Sequence, residues 1–280
     1  MPSPIIELME QRLSGGDIEV PMLPEVANKV IQLTQDADSD AEDLARLIQS
    51  DQPLAAHVMR IANSALYSPN TTLVSLQQAI ARLGMRIISD IALAASVNSK
   101  MFDAPGYNHL IEIQIKFSLH SGIWAKEVAR TCRRNVEAAF LAGLLHDIGR
   151  PVAIQATLES AKSLGKKLEP VEVLKTANHF ERQLSNNVVR TWEMPSMVCE
   201  VVDNFHDYSQ AGKSKEQTMI VVAGTKFAAR FTDVKGKPKL SEEQLMAQDV
   251  FADLNLYPED LENLKEKAED VKSALEAIAT

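Results

Sequence analysis

The chain has 280 residues, of which 45% are hydrophobic and 24% are charged, a composition typical of a globular protein. This composition excludes a disordered or a collagen-like chain. The 38 acidic and 29 basic side chains give a formal net charge of −9, which argues against a general binder of nucleic acids or of anionic membranes.

The cysteines and the hydropathy pattern indicate where the protein works. Cys132 and Cys199 provide neither a CxxC pair nor a disulfide framework. The N-terminal residues lack the basic and apolar regions of a signal peptide, and no apolar run approaches the ~18 residues of a membrane span. We therefore expect a cytoplasmic protein that binds neither nucleic acid nor membrane, with its chemistry resting on six histidines.

Helical spacing of apolar residues runs through almost the whole chain, beginning with Val26, Val30 and Leu33. No alternating strand and no Asn-Gly or Asp-Gly hairpin turn is evident. Further helices are predicted to begin at capping boxes, in which a serine precedes Glu or Gln by three residues. These serines are Ser39, Ser75, Ser214 and Ser241. The sequence predicts an all-α protein of about a dozen helices.

Two stretches rich in turn-forming residues, 103–106 and 235–238, divide the chain. The predicted parts are an N-terminal helical lobe (1–104), a central helical lobe (105–236) and a C-terminal helical tail (237–280). The tail carries a heptad stripe, which fits either a helix docked on its own domain or a coiled coil joining two chains. The stripe consists of Leu261, Leu264, Ala268, Val271, Leu275 and Ile278.

The most distinctive local feature is the pair His146-Asp147, which ends an apolar helix. An adjacent imidazole and carboxylate offer one nitrogen and one oxygen ligand at nearly the same point, a mixed set that divalent metals of intermediate softness accept. Gly149 is expected to stop this helix in the left-handed conformation. The alternative is a capped helix end in which both side chains bond to the backbone.

Three further histidines belong to apolar helical segments. His120 shares a helical stripe with Phe117 and Trp124 and is expected to point inward. His179 begins one apolar run, and His206 ends another. Each histidine taken singly is more often structural, but four of them in successive segments predict one pocket shared with Asp147.

Six segments of the chain resemble the HDOD branch of the HD phosphohydrolase superfamily, which is found in bacterial signal-transduction proteins. They are LPEV at 23–26, LIQSDQPL at 47–54, RIANSALY at 60–67, SLQQAIARLG at 75–84, AGLLHDIGR at 142–150 and WEMP at 192–195. The similarity extends over residues 20–235 and excludes the tail. It implies an HD-like bundle of many helices.

Active members of the superfamily bind one or more divalent metals, so the resemblance implies a metal such as Fe, Mn, Zn or Mg. Carried over by position, it makes Asp147 a catalytic residue. The implied metal ligands are His120, His146, Asp147, His179 and His206.

Three positions depart from the superfamily's pattern. Lys116 stands where an acidic ligand is expected, Phe205 replaces the first histidine of a pair, and Gly224 occupies the place of a final aspartate. A missing carboxylate weakens metal binding and removes a group that orients the attacking water.

Two hypotheses of function follow. The first is a catalytically impaired signalling module that binds a protein partner or a phosphorylated small molecule, with a homodimer through the C-terminal helix as one arrangement. The second is a metal-dependent phosphohydrolase acting on a nucleotide or another phosphoester, in which Arg150 holds a phosphate. The alternative for Arg150 is a surface arginine favoured by the helix dipole.

Overall fold

The computed structural model describes residues 3–36, 38–63, 68, 72–234 and 237–279. Within these ranges the chain forms sixteen α-helices, three 3₁₀ helices and one short β-hairpin. The all-α prediction is confirmed. Two parts of the sequence interpretation, residues 64–67 of the RIANSALY segment and residues 235–236 of the second boundary, lie outside the described ranges.

Six helices make up the N-terminal part: α1 (Pro4–Gly15), α2 (Glu25–Gln35), α3 (Ala41–Gln49), α4 (Gln52–Ala62), α5 (Leu76–Leu83) and α6 (Met85–Ser96). Ser75 caps α5 as predicted, since its side chain accepts a hydrogen bond from the Gln78 amide, but the box is incomplete because the Gln78 side chain accepts from the Val74 amide. The box predicted at Ser39 is wrong by one residue. Asp40 caps α3 and forms the box with Asp43, because a carboxylate is an equally good acceptor for the first free amides.

Six helices make up the central part: α7 (Asn108–Cys132), α8 (Val136–Leu145), α9 (Gly149–Ser163), α10 (Pro170–Thr191), α11 (Ser196–Asn204) and α12 (Lys215–Phe231). Helix α7 packs against both α8 and α12, and α9 packs along α10. The capping box predicted at Ser214 is wrong, because its hydroxyl donates to the Ala211 carbonyl instead of accepting from the next helix.

The C-terminal part starts with a hairpin whose strands β1 (Asp233–Val234) and β2 (Lys237–Pro238) pair antiparallel, with Asp233 opposite Pro238. Four helices follow: α13 (Glu242–Met246), α14 (Asp249–Asp253), α15 (Pro258–Lys265) and α16 (Ala268–Ala279). The box predicted at Ser241 is confirmed, with Gln244 as its partner.

The heptad stripe of the tail faces its own chain. Helix α16 packs on α7, α6 and α4, and α15 packs on α7. The stripe residues Leu264, Val271 and Ile278 are each 5% exposed or less. This burial is the docked arrangement, one of the two alternatives that the stripe left open.

Helices α7 and α8, and likewise α9 and α10, cross at glycines. A Cβ at Gly143 would lie 2.6 Å from the Cα of Gly122, and a Cβ at Gly149 would lie 2.1 Å from the Ser185 nitrogen. Gly149 is the first residue of α9, so its predicted role as a left-handed helix stop is wrong. Its lack of a side chain lets α9 touch the backbone of α10.

One hydrophobic cluster runs from Met9 in α1 to Ile278 in α16, so the three predicted parts share a core. Trp124 and Trp192 are among its largest fully buried side chains. Among the described residues, no helix combines the length and the apolar character needed to cross a lipid bilayer.

Candidate functional site

The turn between α8 and α9 holds the His146-Asp147 pair. The Nδ1–H of His146 donates to the Gly143 carbonyl over 2.7 Å, which fixes the ring at the end of α8. The ring packs at a tilt against Phe205, with their centroids 4.4 Å apart. Burial lowers the pKa of His146 to about 4, so this imidazole is neutral at neutral pH with Nε2 as its acceptor.

Asp147 belongs to an ionic cluster centred on Arg150. The guanidinium Nε donates to Asp147 Oδ2 over 3.0 Å, its Nη1 donates to Asn178 Oδ1 over 2.8 Å, and its Nη2 pairs with Glu181 Oε2. The side-chain amide of Gln114 also donates to Asp147. Both carboxylate side chains are only 11% exposed, so Arg150 is the cation that balances two buried acids.

The two acids of this cluster have shifted pKa values. Burial raises the pKa of Asp147, and Arg150 opposes that rise. Burial also raises the pKa of Glu181, and the neighbouring Asp147 carboxylate raises it further. Two like charges side by side disfavour full ionisation of both. Arg150 therefore opposes the rise of both pKa values and favours the charged forms of the pair.

His120 points inward as predicted and is 4% exposed. The Trp124 indole N–H donates to its Nε2 over 3.0 Å, which places the proton of the neutral ring on Nδ1. That Nδ1 lies 2.7 Å from Thr232 Oγ1. Burial lowers the pKa of His120 to about 4. Both ring nitrogens are thus committed to hydrogen bonds inside the protein.

The remaining two histidines differ in position. His206 Nε2 lies 3.7 Å from Glu181 Oε1, at the exposed edge of the ionic cluster. His179 is exposed, with its ring edge-on to that of Phe180 at a centroid distance of 4.8 Å. The structure therefore brings His146, Asp147 and His206 together with Arg150, while His179 lies on the outer face of α10.

Sequence reasoning missed Glu181, although the sequence contains a signal for it. Glu181 lies four residues after Ala177, three before Leu184 and seven before Val188, and all three of these apolar residues are fully buried. This spacing puts Glu181 on the inner face of α10 and places His179 away from that face.

Lys239 was also missed as a residue of the site, and no local sequence pattern indicates that it lies there. The residue follows β2, and its Nζ lies 3.6 Å from the centre of the Phe117 ring. Its charge opposes protonation of His146, and burial together with Arg150 lowers the pKa of Lys239 itself. A second cation therefore reaches the site from a distant part of the chain.

A comparison with protein families finds the HDOD domain at residues 20–208. The chain belongs to the HDOD family. A Treponema pallidum (strain Nichols) protein, described as uncharacterized, is 20% identical over 223 residues, which are 77% of this chain and 43% of that protein. The chain thus spans less than half the length of this curated relative.

Solved structures share the fold. The "Putative metal-dependent phosphohydrolase" of Shewanella amazonensis SB2B matches with a TM-score of 0.72 at 20% identity over 97% of this chain and 98% of its own. An HDOD domain protein of unknown function from Geobacter sulfurreducens matches at 0.71 and 19% identity, over 96% and 99% of the two chains. The "Putative signal transduction protein" of Marinobacter aquaeolei VT8 matches at 0.65 and 21% identity, over 97% and 61%.

The side chains of this HDOD domain do not fit a divalent metal. Within the described ranges, no three side chains of His, Cys, Asp or Glu are arranged to hold a metal ion. The accepting nitrogen of His120 is taken by Trp124, and Arg150 is ion-paired with the carboxylates of Asp147 and Glu181. A cation placed there would also meet the positive charge of Arg150.

Gly224 is a further reason why this HDOD domain does not fit a divalent metal. A Cβ on Gly224 would lie 2.4 Å from the backbone nitrogen of Ala125 and 2.6 Å from its Cα. Helices α7 and α12 therefore touch through their backbones at this point, and no side chain of any kind fits there.

Proposed function

We propose that this HDOD protein is a non-catalytic signal-transduction module that acts by binding a ligand or a protein partner. The observation that carries the proposal is the position of Arg150. A metal-dependent hydrolase needs anionic ligands that are free for the metal and an open position for a water. In this chain the guanidinium is ion-paired with both buried carboxylates, so a metal bound there would have to displace it.

The alternative is a metal-dependent phosphohydrolase in which Asp147, His146 and His206 bind the metal. The adjacent His146-Asp147 pair and the name of the Shewanella amazonensis neighbour favour it. This alternative requires Arg150 to leave Asp147 and Glu181, which removes the only cation that contacts both acids among the described residues.

Metal analysis and a hydrolysis assay on the same preparation test the proposal. Protein purified without chelators is analysed by inductively coupled plasma mass spectrometry, and bis(p-nitrophenyl) phosphate and nucleoside monophosphates are offered with added Mn²⁺, Zn²⁺ or Mg²⁺. We expect far less than one metal per chain and no turnover. The matched variants are Asp147→Asn, which is isosteric, and Asp203→Asn, a surface carboxylate that pairs with Arg190.

The outcome that overturns the proposal is one metal per chain with turnover, both lost in Asp147→Asn and both retained in Asp203→Asn. Thermal melting of each variant shows whether a loss reflects unfolding rather than the removal of a ligand.

A further inference from the structure

A small cavity of about 140 Å³ adjoins the ionic cluster between α7, α9 and α10. Each helix contributes an apolar residue and, four positions away, a polar one. These pairs are Leu110 with Gln114, Ile154 with Arg150, and Leu174 with Asn178. Four residues are about one helical turn, so each pair shares a face of its helix.

The polar members of the three pairs converge. Arg150 Nη1 donates to Asn178 Oδ1 over 2.8 Å, and Arg150 and Gln114 both donate to Asp147. The cavity consequently has a polar end at Arg150 and an apolar end one turn away on each helix. A mostly apolar cavity with a few convergent polar groups is the usual form of a small-molecule site.

Hydrogen-bonding capacity remains at the polar end. Arg150 has five N–H groups, of which one donates to Asp147 and one to Asn178, while Nη2 is ion-paired with Glu181. In the part of the chain that the structure describes, Asn178 Nδ2 and Gln114 Oε1 make no hydrogen bond. The cavity therefore offers mainly donors, with one amide acceptor.

Charge decides which acceptor suits these donors. Asp147 and Glu181 already balance Arg150, and Lys239 does not line the cavity, so a ligand carboxylate or phosphate would bring a third anionic group to the same place. An uncharged carbonyl accepts from the same donors without that repulsion. The volume also limits the size of the ligand, because a cavity of ~150 Å³ holds one benzene molecule.

We propose that this cavity binds an uncharged ligand consisting of one six-membered ring with a carbonyl acceptor, such as an aromatic or cyclic amide. The ring lies between Leu110, Ile154 and Leu174, and the carbonyl accepts from Arg150 and Asn178. This inference rests on the proposed function, since it names the ligand class of the binding module. Ligand binding would report on the cluster because Arg150 belongs to both.

Benzamide, benzoate and phenyl phosphate are the probes, because they share a ring and differ in charge. Binding is measured by saturation-transfer NMR and by the shifts of the Asn178 and Gln114 side-chain amides. We expect benzamide to bind at least about tenfold more tightly than either anion, a difference of ~1.4 kcal/mol. Leu174→Phe fills the half-buried side of the cavity and should weaken benzamide at least about tenfold. Leu158→Phe, on α9 but outside the cavity lining, is the control.

Three outcomes would each overturn the proposal. The first is no benzamide binding to the folded protein at about 20 mM, a concentration far above the dissociation constant expected of so small a ligand. The others are tighter binding of benzoate or phenyl phosphate, and benzamide binding that Leu174→Phe leaves unchanged. Asn178→Ala, which removes an exposed side chain and its hydrogen bond from Arg150, tests the polar end separately and should weaken benzamide more than benzoate. None of these readouts depends on metal content or turnover, so failure here is distinguishable from failure of the proposed function.

Discussion

Arg150 supplies the positive charge that keeps two buried carboxylates inside the protein. Asp147 and Glu181 lie on different elements, the α8–α9 turn and α10, and the guanidinium contacts both of them. Removing one partner of a buried ionic group costs more than the interaction itself contributes, because the remaining charge is left without compensation. At the scale of single residues, the candidate site thus depends on one cation that two buried acids share.

The variant Arg150→Met tests this role, since methionine keeps much of the apolar stem and removes the charge. We expect a loss of about 3 kcal/mol in the free energy of unfolding at pH 8, measured by urea denaturation. The loss should be smaller at pH 5. Without Arg150 the pKa values of Asp147 and Glu181 in the folded state rise further, so both acids accept protons and the buried charge disappears.

Arg190→Met is the control, because Arg190 pairs with Asp203 at the surface and its side chain is 61% exposed. That change should cost less than about 1 kcal/mol and show little pH dependence. Equal losses for the two variants would mean that Arg150 is also an ordinary surface arginine.

At the scale of helices, backbone contacts set the positions of the site residues. Gly122 and Gly143 join α7 to α8, Gly149 joins α9 to α10, and Gly224 joins α12 to α7. Close approach at Gly149 brings α10 against the start of α9, where Asp147 and Arg150 can meet Glu181. Glycine at these crossings therefore acts on the site through the spacing of the helices.

Gly224→Ala should destabilise the protein by about 2–3 kcal/mol, because the added methyl meets the backbone of Ala125 and the helices must separate. Gly15→Ala is the matched control. It lies at the end of α1, where the new methyl meets only the flexible side chain of Asp17, and it should be neutral or slightly stabilising. Thermal and urea melts of both variants provide the measurement, and a stable Gly224→Ala would contradict the backbone contact.

At the scale of the whole molecule, a buried ion pair connects the N-terminal helices to the central ones. Asp90 of α6 and Lys126 of α7 pair over 2.7 Å, with side chains 9% and 13% exposed. A cavity of about 410 Å³ lies beside this pair and is lined in part by Val271 and Ile278 of α16. Burial raises the pKa of Asp90 to about 6 in spite of Lys126. The interface between the lobes therefore contains a group that titrates below neutral pH.

This pKa has a predictable effect on stability. The folded state binds the Asp90 proton more tightly than the unfolded chain, whose aspartates titrate near ~3.9. The contribution therefore favours the folded state below about pH 4 and is lost as the pH rises through about 6, a change of roughly 2–3 kcal/mol. NMR titration of the Asp90 carboxyl carbon should give a midpoint near 6.

The double variant Asp90→Asn, Lys126→Met should lack this part of the pH dependence, since both charges are removed together. A midpoint near 4 in the wild type, or an unchanged stability profile in the double variant, would contradict a desolvated pair at this interface.

The sequence by itself determined the fold class and much of the local structure. Helical spacing of apolar residues predicts the helices because only one face of each can be buried. The same spacing correctly turns His120 inward, and the serine caps at Ser75 and Ser241 are confirmed. These features depend on neighbours within a few residues along the chain, which a linear pattern records.

Only the tertiary structure decided which residues meet. The ionic cluster joins Gln114 of α7, Asp147 of the α8–α9 turn and Glu181 of α10, and Lys239 reaches it from beyond the hairpin. His120 is hydrogen-bonded to Trp124 and Thr232, and neither residue is of a type that indicates a metal site. The physical reason is that the burial and pairing of charges depend on how distant segments pack. Residue type and spacing indicate only which side of a helix each group faces.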